Sequence, residues 1–156
     1  MWHEIPDLLA GLPDEDAGRV LALGSRLTIS GGSELFRLGD EADRIFLIRR
    51  GRIRLTLPMQ VRGRSESVLL EECAAGQTVG WSALIPPYRF TLTATAPLET
   101  ELIALSREAL NELLRTTPDL GYAVSRNLAA LIGQRLQIFQ TMWVREMQRS
   151  VELRCA

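Results

Sequence analysis

Lysine is absent from this chain of 156 residues, histidine occurs once, at His3, and cysteine twice, at Cys73 and Cys155. Each shortage closes a class of chemistry. A lone histidine ahead of the first strand cannot form a Ser-His-Asp or Cys-His catalytic set. Nor can it supply the several imidazoles of a metalloenzyme built in a β-barrel, so the expectation is no metal and no enzyme. Two cysteines make neither a disulfide framework nor a zinc spacing. Cys73, after VLLEE, is expected as a half-buried free thiol, and Cys155 on a mobile tail. The formal charge of −1 leaves no global basic field for nucleic acid. No apolar run approaches the ~18 residues of a membrane helix, which predicts no membrane insertion. The opening MWHEIPDLL carries Glu4 and Asp7 in place of a basic leader, which predicts a cytoplasmic protein.

What is present is a succession of short strands. Apolar residues make up 46% of the chain, enough for one domain with a sizeable core. Asp14–Leu23 reads as a helix, with Pro13 before it and acids in its first turn. RLTI then reads as a strand, and Gly31-Gly32-Ser33 as a turn. Ile45 to Ile48 is a buried strand and Gly51 a hairpin glycine. Beyond it Ile53, Leu55 and Leu57 alternate with Arg52, Arg54 and Thr56, the period of a half-buried strand. Pro58 to Arg64 reads as a second turn, followed by strands at Ser67–Glu72, Thr91–Ala96 and Glu101–Leu105. The expected class is α+β: an N-terminal helical segment over 1–24, an antiparallel β-roll over 25–106 and helices over 107–150, in one domain.

Ser106 is placed to cap the helix REALNELLRTT, with Ala109 at its third position. Thr117-Pro118-Asp119 opens the last helix, which runs to about Ser150 on this reading. At about 100° per residue, Val124, Leu128, Leu131, Ile132, Leu136, Ile138, Phe139, Met142, Trp143 and Met147 cover half of its circumference, with Arg135 inside the stripe. One contact needs a much narrower stripe. Two partners are therefore expected, the roll and a second subunit, and Leu128 to Trp143, Arg135 included, form the predicted homodimer interface.

The segment Gly76–Ala96, GQTVGWSALIPPYRFTLTATA, reads as a strand end, a glycine turn, a helix start, a Pro-Pro loop and a Thr/Ala-alternating strand. It resembles the phosphate-binding cassette of cyclic-nucleotide-binding domains of the Crp–Fnr family. Upstream, Gly39-Asp40, Ala42-Asp43, the strand Ile45–Ile48 and Gly51 follow the same family's pattern, and the likeness extends from about Asp14 to Trp143. The resemblance implies a ligand site at Gly80, Trp81, Ser82, Ala83, Arg89, Phe90 and Thr91, with cAMP or cGMP as ligand. It also shows departures. Trp81 stands where the family's ribose-binding glutamate belongs, and Phe90 where its phosphate-binding arginine belongs, with Arg89 one residue early. Neighbouring side chains on a strand face opposite ways, so Arg89 and Phe90 cannot both line the pocket if the strand has begun. The Thr93–Ala96 register favours Phe90, and a loop at position 89 would favour Arg89.

Losing both charged partners implies weak or lost nucleotide binding. The pocket then takes a flat apolar ligand, or its aromatics plug it. Arg135 and Leu136 fall near the helix positions that would overlie the base. Three roles remain open: a stand-alone dimeric regulatory module, the sensor of a Crp–Fnr-type regulator whose DNA-binding domain is elsewhere, and a ligand-free dimerisation scaffold. The chain stops at Ala156 without a recognition helix, so no direct DNA binding is expected of it. Arg49, Arg50, Arg52, Arg54, Arg62 and Arg64 cluster on one hairpin. They read as a charged outer face partly balanced by Glu41, Asp43 and Glu66, in preference to a patch for an acidic protein, a phosphate or membrane lipid, and Glu71-Glu72 reads as a solvated strand end.

Overall fold

The computed structural model describes residues 4–156, so the leader histidine, His3, lies outside the described residues. In chain order come α1 (Asp14–Ala22), β1 (Ser25–Ile29), β2 (Glu34–Phe36), β3 (Arg44–Arg50), β4 (Arg52–Val61), β5 (Arg64–Ala74), β6 (Thr78–Val79), β7 (Thr93–Thr95), β8 (Thr100–Ser106), α2 (Arg107–Thr116) and α3 (Pro118–Cys155). The strands form two four-stranded antiparallel sheets, ordered β1-β8-β3-β6 and β2-β7-β4-β5. This is the α+β roll expected from the strand pattern, followed by a long helix.

Ile45, Phe46, Leu47 and Ile48 are all buried, without alternation. A strand in the interior of its sheet, covered on both faces, requires that continuity. Each such side chain contributes about 1.5–3 kcal/mol on burial. Gly51 turns the β3–β4 hairpin at φ 96°, and a Cβ there would lie 2.5 Å from Thr100 Oγ1 and 2.8 Å from the Glu99 carbonyl. Only glycine fits that conformation and that approach.

The expected turn over Pro58–Arg64 is corrected. β4 runs on to Val61, Pro58 pairs with Ser67, and the turn shrinks to Arg62-Gly63, both at positive φ. Two left-handed residues match the twist of a tight hairpin. Pro58 is tolerated because β7 pairs with β4 only over Arg54–Thr56, so the strand beyond has one neighbour. The strand expected over Thr91–Ala96 likewise shortens to Thr93–Thr95.

Arg49, Arg50, Arg52 and Arg54 of the charged hairpin find acids, though other ones than expected. Arg49 pairs with Glu101 at 3.2 Å, and Arg52 and Arg54 both reach Glu72, at 2.7 and 2.9 Å. Hydrogen bonds from Arg54 and then Arg52 hold the Glu72 carboxyl below its usual range. Glu41 and Asp43 turn to Arg107 and Arg44.

Ser106 Oγ accepts from the Ala109 N–H at 3.4 Å and so caps α2. Pro118 starts α3, where its missing N–H costs nothing. The helix has 38 residues, past the expected end near Ser150. Leu120, Val124 and Leu128 are buried where α3 packs on α2 and the N-terminal turn Asp7–Leu9, and Asn127 Nδ2 donates to the carbonyls of Leu8 and Ala10. From Leu136 to Arg149 every residue is exposed, and an open groove lies between Phe139–Glu146 and Met59, Val68 and Leu70 of the β4–β5 hairpin. Among the described residues no helix is long and apolar enough to cross a membrane.

Candidate ligand pocket

Between β6 and β7 the chain makes the turn that the sequence singled out. Gly80 takes a left-handed conformation at φ 83° and leads into a 3-10 turn, Trp81–Leu84. A Cβ at position 80 would approach the Arg44 carbonyl and Phe90 Cε1 to 3.3 Å, so the glycine serves both conformation and space. Ser82 and Ala83 are buried beneath the turn.

Arg89 and Phe90 point to opposite sides. The Phe90 N–H donates to the Asp40 carbonyl at 3.0 Å, and the Gly39 N–H donates to the Phe90 carbonyl at 2.8 Å, which fixes the register. Arg89 is exposed, and its Nη1 donates to the Gly39 carbonyl at 2.9 Å. Phe90 turns inward, 5% exposed, and stacks on Phe36 with ring centroids 3.7 Å apart and planes 8° apart. Phe36 in turn lies 6.0 Å from Phe46. This aromatic column fills the roll beneath Gly80. The space left among Phe36, Gly80, Ser82 and Phe90 is about 10 Å³. A void of that size holds about one water.

Trp81 is half-buried and lines both this void and a larger space toward α3. There a cavity of about 350 Å³ opens between the roll and the helix, walled by Leu57, Leu70, Trp81, Thr91, Leu92, Ile132, Arg135, Leu136 and Phe139. Its one cation is committed. Arg135 Nε lies 3.2 Å from Glu71 Oε2, while Nη2 donates to the Thr78 carbonyl at 3.0 Å and to Cys73 Sγ at 3.6 Å. Side-chain exposure is only 13% for Arg135 and 19% for Glu71, so the pair is largely withdrawn from water.

Two expectations are corrected here. Glu71 is not a solvated strand end, because β5 carries a bulge. The partner of Leu55 is Glu71 and that of Thr56 is Leu69, which leaves Leu70 as the extra residue. The bulge turns Leu70 toward the cavity and leaves Leu69 49% exposed. Cys73 is fully buried instead of half-buried, and burial pushes its thiol up to about 12 against the opposing pull of Arg135.

The residues expected at a subunit interface divide. Leu128 is buried in the core of this chain, Leu131 and Ile132 are half-buried against it, and Arg135 is held by Glu71. Leu136, Ile138, Phe139, Met142 and Trp143 are exposed. Phe36, Leu70 and Leu92 were not singled out from the sequence, and Leu57 and Glu71 were read there only as strand positions. The arginine interrupting an apolar stripe was the one signal that a buried acid waited on the roll. Among the described residues no cluster of three or more His, Cys, Asp or Glu side chains could hold a metal ion.

A β-roll with a glycine-led turn facing a long helix is the architecture that the family resemblance implies. The chain matches the profile of the cyclic nucleotide-binding domain over residues 26–117, and it belongs to that regulatory family. It is 30% identical over 130 residues to the cyclic AMP receptor protein of Thermus thermophilus, covering 83% of this chain and 57% of that protein. It is 30% identical over 102 residues to lysophospholipase nte1 of Neurospora crassa, 65% of this chain and 6% of that enzyme. The N-terminal domain of a transcriptional regulator from Streptomyces coelicolor A3(2) superposes with a TM-score of 0.68 at 28% identity, covering 82% of this chain and 89% of that domain. The chain thus spans little more than half of the receptor protein and a small fraction of the lipase.

Proposed function

We propose that this chain is a non-enzymatic, cytoplasmic sensory module that has weakened or lost the recognition of cAMP and cGMP and works as a homodimer through α3. The observation that carries this reading is the Phe90–Phe36 stack. It occupies the place where the family resemblance puts the phosphate-binding arginine, and Arg89 is turned outside. A charged hydrogen bond is worth roughly 1.5–3 kcal/mol, and the tryptophan at the glutamate position removes a second one. Together the losses amount to about 3–6 kcal/mol, or roughly 10²–10⁴ in affinity. Melting curves with millimolar cAMP and cGMP test the reading. The expected shift is below about 1 °C, because a ligand raises stability only as its concentration exceeds Kd. A rise of several degrees would overturn it.

A second reading follows from the receptor protein and the regulator domain: the chain is the sensor part of a DNA-binding regulator. Reading the coding sequence past codon 156 tests it. A helix-turn-helix in frame supports that role, and a stop codon supports the separate module.

A further inference from the structure

The cavity beside α3 includes Trp81, Thr91, Arg135 and Leu136, which the family resemblance puts at the ligand site, and three of its features bear on which ligand it takes. Its volume of about 350 Å³ falls at the small end of ligand pockets, roughly 300–1,000 Å³. Its walls are apolar side chains, with one aromatic face from Trp81 and another from Phe139. Its only cation is already neutralised, since Arg135 is paired with Glu71 and donates to the Thr78 carbonyl.

That pairing decides the kind of guest. An anionic ligand would have to displace the Glu71 carboxylate from a half-dry site or sit beside it. A cationic one would face a guanidinium. An uncharged molecule meets neither cost, and its apolar surface leaves water for Trp81, Leu92, Ile132 and Phe139. Arg135 Nη1 makes no bond among the described residues and stands ready to donate to one neutral acceptor. The Thr91 hydroxyl at the wall offers a second polar handle.

We propose that this cavity binds an uncharged, mainly apolar small molecule of bicyclic-aromatic size, oriented by one hydrogen bond from Arg135. The proposal rests on the reading that Phe90 closes the phosphate site. Bound there, the guest touches β4, β5, the Trp81 turn and α3 at once. Its occupancy is therefore sensed by the helix without any contact at the cassette glycine.

The test is a fluorescence titration of the full chain with N-phenyl-1-naphthylamine, which is neutral, and with the anionic 8-anilino-1-naphthalenesulfonate. The neutral probe is expected to saturate at one per chain and to bind at least tenfold more tightly than the anion. Filling the cavity with Ile132→Trp or Leu92→Trp should weaken the neutral probe at least tenfold in a chain that still melts cooperatively. Glu71→Gln should shift the preference toward the anion by uncovering the charge of Arg135. Absence of saturable binding overturns the proposal. So does equal binding by the wild type and both filled variants, which would mean adsorption on the exposed half of α3. Displacement of the neutral probe by micromolar cAMP would instead sink the reading of a closed phosphate site. If neither nucleotide nor neutral probe binds, that reading stands and only the proposal falls.

Discussion

At position 90 a phenyl ring in place of a guanidinium changes the roll in two ways at once. It removes a charge that the family directs at phosphate, and it supplies the ring that stacks on Phe36 and fills the space below Gly80. The double substitution Phe90→Arg, Trp81→Glu should therefore restore nucleotide binding and cost stability. The expected gain in cAMP affinity is roughly 10²–10⁴, and opening the aromatic column should cost about 2–4 kcal/mol. Calorimetric titration and urea melts read the two effects; a folded double variant with no gain would count against the cassette assignment. Cys73 gives a second test. Its thiol is raised to about 12 by burial, from an ordinary value of 9.0. Between those values the unfolded chain releases a proton that the folded chain keeps, so stability is intact below pH 9 and falls as pH rises toward 12. Cys73→Ala should flatten that decline in urea melts at pH 8 and 10. In the folded chain at neutral pH a thiol reagent should label one cysteine, the exposed Cys155, and two after unfolding. At this scale the sequence was informative about which residues are unusual and silent about what they touch. Phe90 was visible as a departure, but Phe36 lies far earlier in the chain, at the end of β2, and nothing local marks it as the partner.

The elements obey their local signals except where a bulge or a tertiary partner intervenes. Gly51, Ser106 and Pro118 mark a hairpin, a cap and a helix start because glycine torsion, hydroxyl capping and a missing N–H act within a few residues. The β5 bulge has no such mark: VLLEE alternates plausibly in either register, and pairing with β4 makes the choice. Glu71 and Arg135 are thereby brought together from elements 64 residues apart (135 − 71). This pair joins α3 to β5, and through the Thr78 carbonyl to the strand that enters the cassette. Removing one partner leaves a charge in a dry place. Arg135→Ala or Glu71→Ala alone should each cost about 2–4 kcal/mol, somewhat less than for a fully buried pair. The double variant should cost clearly less than the sum, because neither orphan remains. Additive losses in urea melts would show that the two groups do not stabilise each other. Hydrogen exchange should also rise in α3 near Ile132–Phe139 in each single variant, which tests the pair as the link between helix and roll.

For the molecule as a whole, the long helix is the unresolved energy. Its 38 residues extend about 57 Å, and its buried residues, Leu120, Val124 and Leu128, all lie in the first half. The apolar half-circle seen in the sequence separates into two stripes. Val124, Leu128, Leu131 and Arg135 face the rest of this chain, while Leu136, Phe139, Trp143, Met147 and Val151 follow one another along a face rotated by roughly 100°. The second stripe is exposed, with Trp143 at 65% and Leu136 at 56%. An exposed helical stretch of this length is marginal in water, and an uncovered apolar stripe adds to its instability. Pairing with the same stripe of a second copy would relieve both. Sedimentation at about ten micromolar should then find a dimer. Trp143→Glu would place like charges at the centre of the seam and cost about 2–4 kcal/mol of association, roughly a 30- to 1,000-fold loss of dimer affinity. The roll should be spared, because Trp143 is 65% exposed and only borders the open groove beside Met59, Val68 and Leu70. The variant is expected to sediment as a monomer, lose helix signal by circular dichroism and keep the fully buried Cys73 unlabelled. A wild-type monomer that retains all its helix at micromolar concentration would remove the need for a partner. A dimer indifferent to Trp143→Glu would move the seam to another face.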